Sequence, residues 1–123
     1  MLDRDQEALK YFEQSQKGDS NCEYNNYGYG KSLQKLGRDQ EALNYFSNSL
    51  WINSNFEYAN NCYALSLQKL GRDEQAVEYF KKALKINPKH TDANYYCGLS
   101  LKKLNRDWEV SKKLNSYIKI MNC

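Results

Sequence analysis

Cysteine and histidine are the side chains best suited to hold a metal or act as nucleophile and base. Here they are few: Cys22, Cys62, Cys97 and Cys123, with His90 as the single histidine. The cysteines lie 40, 35 and 26 residues apart, so none forms the close pair that a zinc site or dithiol redox centre needs. A lone histidine excludes metal sites built on several imidazoles and leaves a serine or cysteine triad without support. It follows Pro88-Lys89 and reads as a solvated loop residue. The run Asn25-Asn26-Tyr27-Gly28-Tyr29-Gly30-Lys31-Ser32 ends like a phosphate-binding loop, but Asn25 stands where that pattern opens with glycine, and no strand precedes it. No catalytic constellation remains. The chain is read as no enzyme, with no cofactor and no metal.

The elements that would position any functional side chain are set by composition and periodicity. The 123 residues suit about one ordinary domain, and 14% aromatic content with 11 Tyr argues against disorder. The net charge of +3 is slight and both signs are mixed, whereas dedicated nucleic-acid binders carry a stronger, clustered excess. No apolar run is long enough for a signal peptide or membrane span. Free thiols and this lack of targeting signals lead us to expect a cytoplasmic protein.

Aligned on itself at an offset of 34, the chain repeats. Ser32-Leu33-Gln34-Lys35-Leu36-Gly37-Arg38-Asp39 returns residue for residue as Ser66-Leu67-Gln68-Lys69-Leu70-Gly71-Arg72-Asp73, and a third copy, Ser100-Leu101-Lys102-Lys103-Leu104-Asn105-Arg106-Asp107, follows at the same interval. Arg4-Asp5 stands one interval before Arg38-Asp39. A fixed period of this length marks a stacked array. After each Arg-Asp the apolar positions match: Ala8, Ala42, Ala76 and Val110, then Phe12, Phe46, Phe80 and Leu114. Ala42, Leu43, Phe46 and Leu50 draw one helical stripe, and Ala59, Tyr63, Leu67 and Leu70 draw another before it. Each unit is therefore predicted to be two amphipathic helices. Gly37 and Gly71, with Asn105 as the next most tolerant residue, end the first helix in the left-handed conformation. Asp39, Asp73 and Asp107 are expected to cap the second, with Glu41 and Glu74 at its positive end, and Pro88 closes it.

This pattern resembles the tetratricopeptide repeat family, whose 34-residue unit has a small residue in the first helix, a Leu-Gly turn and a spaced Ala, Phe, Ala, Pro series. Gly30, Ala64 and Gly98 take the small position, and Ala76, Phe80, Ala83 and Pro88 reproduce the series. The preceding copy departs at Ser49 and Ser54, and the last carries Val110, Leu114, Tyr117 and Asn122. The resemblance implies an all-α, right-handed superhelical α-solenoid with first helices lining a concave groove. The organisation expected is residues 1–22 as the second helix of an incomplete repeat plus linker, and repeats at 23–56, 57–90 and 91–123, together one domain. A chain starting in mid-repeat is expected to be a piece of a longer array. Its bare ends, Leu9 and Phe12 at one and Leu114, Tyr117 and Ile118 at the other, are expected to drive end-to-end self-association.

By the same resemblance, the groove face carries Tyr24, Tyr27, Gly28 and Lys31, then Tyr58, Asn61, Cys62 and Leu65, then Asp92, Tyr95, Tyr96 and Leu99. Gln34, Lys35, Gln68, Lys69, Lys102 and Lys103 are expected along one rim. Tyrosine gives contact area and a hydroxyl for little rotamer entropy, so the face suits a peptide or partner segment with aromatic or apolar anchors and acidic character. Tyrosines that only fill the inter-repeat packing, beside solvated lysines, are the open alternative. Relatives that clamp chaperone C-terminal carboxylates do so with basic and amide side chains; the corresponding Tyr27, Lys31, Cys62, Asp92 and Tyr96 depart from that set. The function expected is a non-catalytic protein-protein interaction scaffold. Its alternatives are an RNA-binding helical repeat, which the 34-residue period and slight charge disfavour, and a targeting array of a larger enzyme. Neighbouring helix axes lie about 8–10 Å apart, too far for a Cys62–Cys97 disulfide.

Overall fold

Helix-forming stripes separated by glycine turns yield a chain of helices and, among the described residues, no strand. The computed structural model describes residues 4–17 and 22–121. Cys123, Asn122 and the side chain of Tyr117 lie outside the described residues. The helices are α1 (Arg4–Lys17), α2 (Glu23–Lys35), α3 (Asp39–Ile52), α4 (Glu57–Lys69), α5 (Asp73–Ile86) and α6 (Thr91–Met121). Each packs on the next, and α4 also touches α2 and α6, so neighbours in sequence are neighbours in space. That is a helical solenoid.

The turns form as their chemistry dictates. Gly37 and Gly71 adopt φ of 78° and 80°, a region that side chains with a Cβ enter at a cost. This bend lets the Arg38 and Arg72 amides donate to the Leu33 and Leu67 carbonyls at 2.8 Å, satisfying groups the helix end would leave orphaned. The chain then reverses, and Phe46 and Phe80 are driven fully inside. Gly30 makes room for the first of these: a Cβ there would stand 2.8 Å from the Phe46 ring.

Two expectations are corrected. Asp39 and Asp73 are not caps: Arg38 and Arg72 hold the cap positions and make no side-chain cap bond. The two carboxylates instead reach the next repeat, where Asp39 accepts from Ser66 Oγ at 2.9 Å and Asp73 from Ser100 Oγ at 2.8 Å. A carboxylate in the first helical turn still benefits from the helix dipole. The second correction concerns residues 91–123. The turn expected at Asn105 is absent, and α6 runs unbroken for 31 residues, with Asp107 inside it. Asn enters the left-handed region less readily than Gly. Lys103 also pairs with Asp107 at 3.5 Å and Asn105 Nδ2 donates to Glu109 at 3.5 Å, contacts spaced to support a continuous helix. Val110 and Leu114, the counterparts of the buried Ala42, Ala76, Phe46 and Phe80, are consequently exposed.

Candidate peptide-binding face

The faces of α2, α4 and α6 that do not pack inward are fixed by the residues preceding each helix. Cys22, Phe56 and His90 are equivalent by the repeat. Cys22 Sγ accepts the Asn25 amide at 3.4 Å and His90 Nδ1 accepts the Ala93 amide at 3.2 Å. His90 is thus a capping residue, not a solvated one: its side chain is 10% exposed and packs edge-on to Tyr58 at 6.0 Å. Phe56 makes no such bond and packs instead, buried against Tyr24 at 5.2 Å and Tyr27 at 5.0 Å. Rings then run in contact from Tyr24 through Phe56 and Tyr27 to Tyr58 and His90. Phe56 and His90 are the members that sequence reasoning missed; their shared offset of 34 was the available signal.

Of the expected face residues, Tyr24, Tyr58, Asp92, Tyr95 and Leu99 are exposed, while Tyr27, Lys31, Leu65 and Tyr96 are half-buried. Tyr95 and Tyr96 pack on each other at 5.1 Å, one repeat beyond the first cluster. Lys31 Nζ donates to the Tyr27 hydroxyl at 3.4 Å and lies 5.6 Å from the centre of its ring. Gly28 does not open onto the face, because a Cβ there would meet the Phe12 ring at 2.4 Å. Asn61 and Cys62 are buried, and Asn61 Oδ1 has no hydrogen-bond donor among the described residues. Burial pushes the Cys62 thiol up, so it stays protonated and poorly nucleophilic. Cys22, Cys62 and Cys97 are all free thiols.

The glutamines leave the rim altogether. Gln34 Nε2, buried, donates to the Cys62 carbonyl at 2.8 Å and Ser66 Oγ at 2.9 Å. Gln68 Nε2 does the same one repeat on, to the Tyr96 carbonyl and Ser100 Oγ, both at 2.7 Å. These are bolts between first helices. Lys35, Lys69, Lys102 and Lys103 remain as an exposed basic edge, on which the Asp73 carboxylate raises the Lys103 ammonium pKa.

Burial likewise holds the phenols of Tyr27, Tyr29 and Tyr63 above their ordinary value of 10.0. A raised native pKa means the unfolded phenol ionises first, so this stability is complete below pH ~10 and lost as pH rises past it. We expect the urea midpoint to fall above pH ~10, and Tyr27→Phe to flatten that fall while leaving the neutral-pH midpoint nearly unchanged. A Tyr27→Phe profile that tracks the unaltered chain would remove Tyr27 as a contributor.

A separate cleft of about 670 Å³ opens among α3, α4 and α5, lined by Trp51, Tyr63, Tyr79 and Lys82 among others. None of the expected face residues lines it. No three of His, Cys, Asp and Glu stand close enough to hold a metal, and no helix is long and apolar enough to cross a membrane, among the described residues.

The helix pairs, their glycine turns and the alternating small and aromatic core positions find a direct counterpart in a known repeat. Residues 64–90 match the sequence profile of the tetratricopeptide repeat. The chain has the tetratricopeptide-repeat fold. Among solved structures, YrrB, described as a tetratricopeptide protein with an unusual peptide-binding site, superposes with a TM-score of 0.75 at 25% identity over 82% of this chain and 52% of its own. MamA superposes at 0.77 and 20% identity, over 87% of this chain and 59% of that one. The first tetratricopeptide domain of Spaghetti (RPAP3), bound to the HSP90 peptide SRMEEVD, superposes at 0.80 and 14% identity, over 83% of this chain and 81% of that one. The chain thus spans little more than half the length of YrrB and MamA. No curated protein sequence matches it significantly. Within this tetratricopeptide fold, the aromatic row lies on the first helices and the residues that precede them.

Proposed function

We propose that the chain is a non-catalytic scaffold that binds an extended peptide across the first helices, through aromatic or apolar anchors with acidic residues between them. The observation that carries this reading is the contiguous ring row from Tyr24 to His90, whose members Tyr24 and Tyr58 remain more than half exposed. An exposed ring already braced by a neighbour loses little freedom on binding, so its contact area converts well to affinity. Lys31 and the Lys35–Lys69–Lys102 edge supply positive charge for acidic residues. Two neighbours carry peptide sites by their descriptions, which supports a peptide partner here. The chaperone tail itself is a poor fit, because Tyr27, Cys62 and Asp92 stand where that clamp uses basic and amide groups. Buried free thiols agree with a reducing, cytoplasmic setting.

The test is a displayed random-peptide selection followed by anisotropy titration of the enriched sequences and of SRMEEVD. We expect enrichment of acidic peptides with aromatic or branched anchors, little binding of SRMEEVD, and at least about a tenfold loss for Tyr58→Ala with Tyr95→Ala. Both rings are exposed, so the fold survives their removal. No enriched sequence, or affinity indifferent to the double substitution, would sink the reading.

A further inference from the structure

Two junctions between successive repeats can be compared residue by residue, and they differ in charge at one place. Where α1 and α3 flank α2, Tyr29 stacks on Tyr45 with ring centres 4.0 Å apart, and its hydroxyl donates to Glu13 Oε1 at 3.0 Å. One repeat on, where α3 and α5 flank α4, the pair returns as Tyr63 and Tyr79 at 4.6 Å. Here Ser47 stands in the place of Glu13, and Lys82 in the place of Asn48. The chain supplies its own carboxylate to the first tyrosine pair. At the second it withholds the carboxylate and sets an ammonium there instead. Lys82 Nζ lies 4.2 Å from the centre of the Tyr79 ring, a cation-π contact that holds it beside the pair.

This second junction is also where the cleft of about 670 Å³ opens, within the ~300–1,000 Å³ typical of ligand sites. Lys82 and Lys85 line it, and among the described residues none of its lining side chains is acidic. Glu78 meets Lys82 from one turn back at 3.8 Å, an exposed pair that water screens. The apolar part of the lining is Leu50, Ile86 and Trp51, and the Trp51 indole is 90% exposed. A tryptophan that buries so little of itself has nearly its whole contact area left to give to a partner. Asn60 borders the cleft from beneath, 1% exposed, with its amide donating to the Ser54 and Phe56 carbonyls at 3.1 and 3.0 Å. The cleft is therefore braced before anything enters it.

We propose that this cleft is a second peptide site, which takes a short acidic segment of a partner protein with an apolar side chain beside its carboxylate. The apolar side chain lies against Leu50, Ile86 and the Trp51 indole. The carboxylate accepts from the Tyr63 hydroxyl, as Glu13 does from Tyr29, and from the Lys82 ammonium. A protein segment fits better than a free small carboxylate, because Trp51 stands out at the surface and only an occupant with surface of its own covers it. The site shares no residue with the ring row on the first helices, so either can fail without the other.

The test is a displayed random-peptide selection against the chain carrying Tyr58→Ala and Tyr95→Ala, which removes the first-helix rings. Enriched peptides are then titrated by the fluorescence of Trp51 with Trp108→Phe, which leaves Trp51 as the only tryptophan. We expect acidic peptides with an apolar residue, bound at least about tenfold more weakly by Trp51→Ala. Ser47→Glu restores the carboxylate of the earlier junction and should block them by at least about tenfold, while Ser47→Gln leaves them bound. Lys82→Gln should weaken them by about threefold or more, an effect that shrinks at high salt. Ser47, Trp51 and Lys82 are all exposed, and circular dichroism should show each variant folded with unchanged melting. No enriched sequence, or binding that ignores both Trp51→Ala and Ser47→Glu, overturns the proposal. Peptides that bind the unaltered chain, ignore Trp51→Ala and are lost on Tyr58→Ala with Tyr95→Ala belong to the first-helix face and overturn this site alone. Phenylacetate saturating the Trp51 signal at a lower concentration than any enriched peptide overturns the peptide occupant in favour of a small carboxylate.

Discussion

Phe80→Ala is expected to remove about 3–5 kcal/mol of stability, a large share of the ~5–15 kcal/mol that holds a domain of this size. Phe80 is fully buried in the cluster that joins Ala64 and Leu67 of α4 to Ala76 and Ala83 of α5 and Ala93 and Cys97 of α6. Removing its ring opens a cavity between three helices, none of which can move in without leaving another neighbour. Because each repeat rests on the next, α6 loses its support along with α5. Urea unfolding monitored by circular dichroism measures the loss. Leu114→Ala is the internal comparison: the repeat makes it equivalent, but it is exposed and should cost little. A Phe80→Ala loss below ~1 kcal/mol would show that this cluster does not carry the array.

Asp73→Ala is expected to cost about 1–3 kcal/mol, through a different mechanism and at one junction. Asp73 is 4% exposed, and its two oxygens accept from Ser100 Oγ at 2.8 Å and Lys103 Nζ at 3.1 Å. Ser100 is itself buried and also accepts from Gln68, so removing the carboxylate leaves its hydroxyl proton without an acceptor. Lys103 is half exposed and contributes less, since water screens it. The damage should therefore concentrate where α5 meets α6. Hydrogen exchange should quicken in residues 91–104 before it does in α2 or α3. Equal acceleration along the whole chain would mean that the Asp73–Ser100 bond is no local fastener. Adding Ser100→Ala should recover part of the loss, because the orphaned donor goes with it.

The sequence was most legible where its signals are local. Gly37 and Gly71 lie in the left-handed region because a helix reverses there, and period and turn chemistry together placed α2 to α5. Phe46 and Phe80 could be assigned to the core because the stripe repeats. Legibility failed where a residue's partner comes from the next repeat. Gln34 reads as a solvent-facing rim residue until a second first helix brings the Cys62 carbonyl and Ser66 hydroxyl against it. Asp39 reads as a cap until Ser66 arrives. His90 reads as a solvated loop residue until Tyr58 closes on it.

Residues 91–121 show the division most clearly. Pattern alone wrote a third helix pair there, since Ser100 to Asp107 repeats the earlier turns with Asn105 for glycine. The structure instead extends one helix, leaving Gly98 and Leu101 uncovered. By itself the sequence determined the period, the helices and the two glycine turns, because each depends on residues within a few positions of one another. Only the tertiary structure decided which polar side chains fasten repeats together, which rings stand exposed and which face has no cover. Those depend on helices separated by a full repeat, whose approach no local pattern encodes.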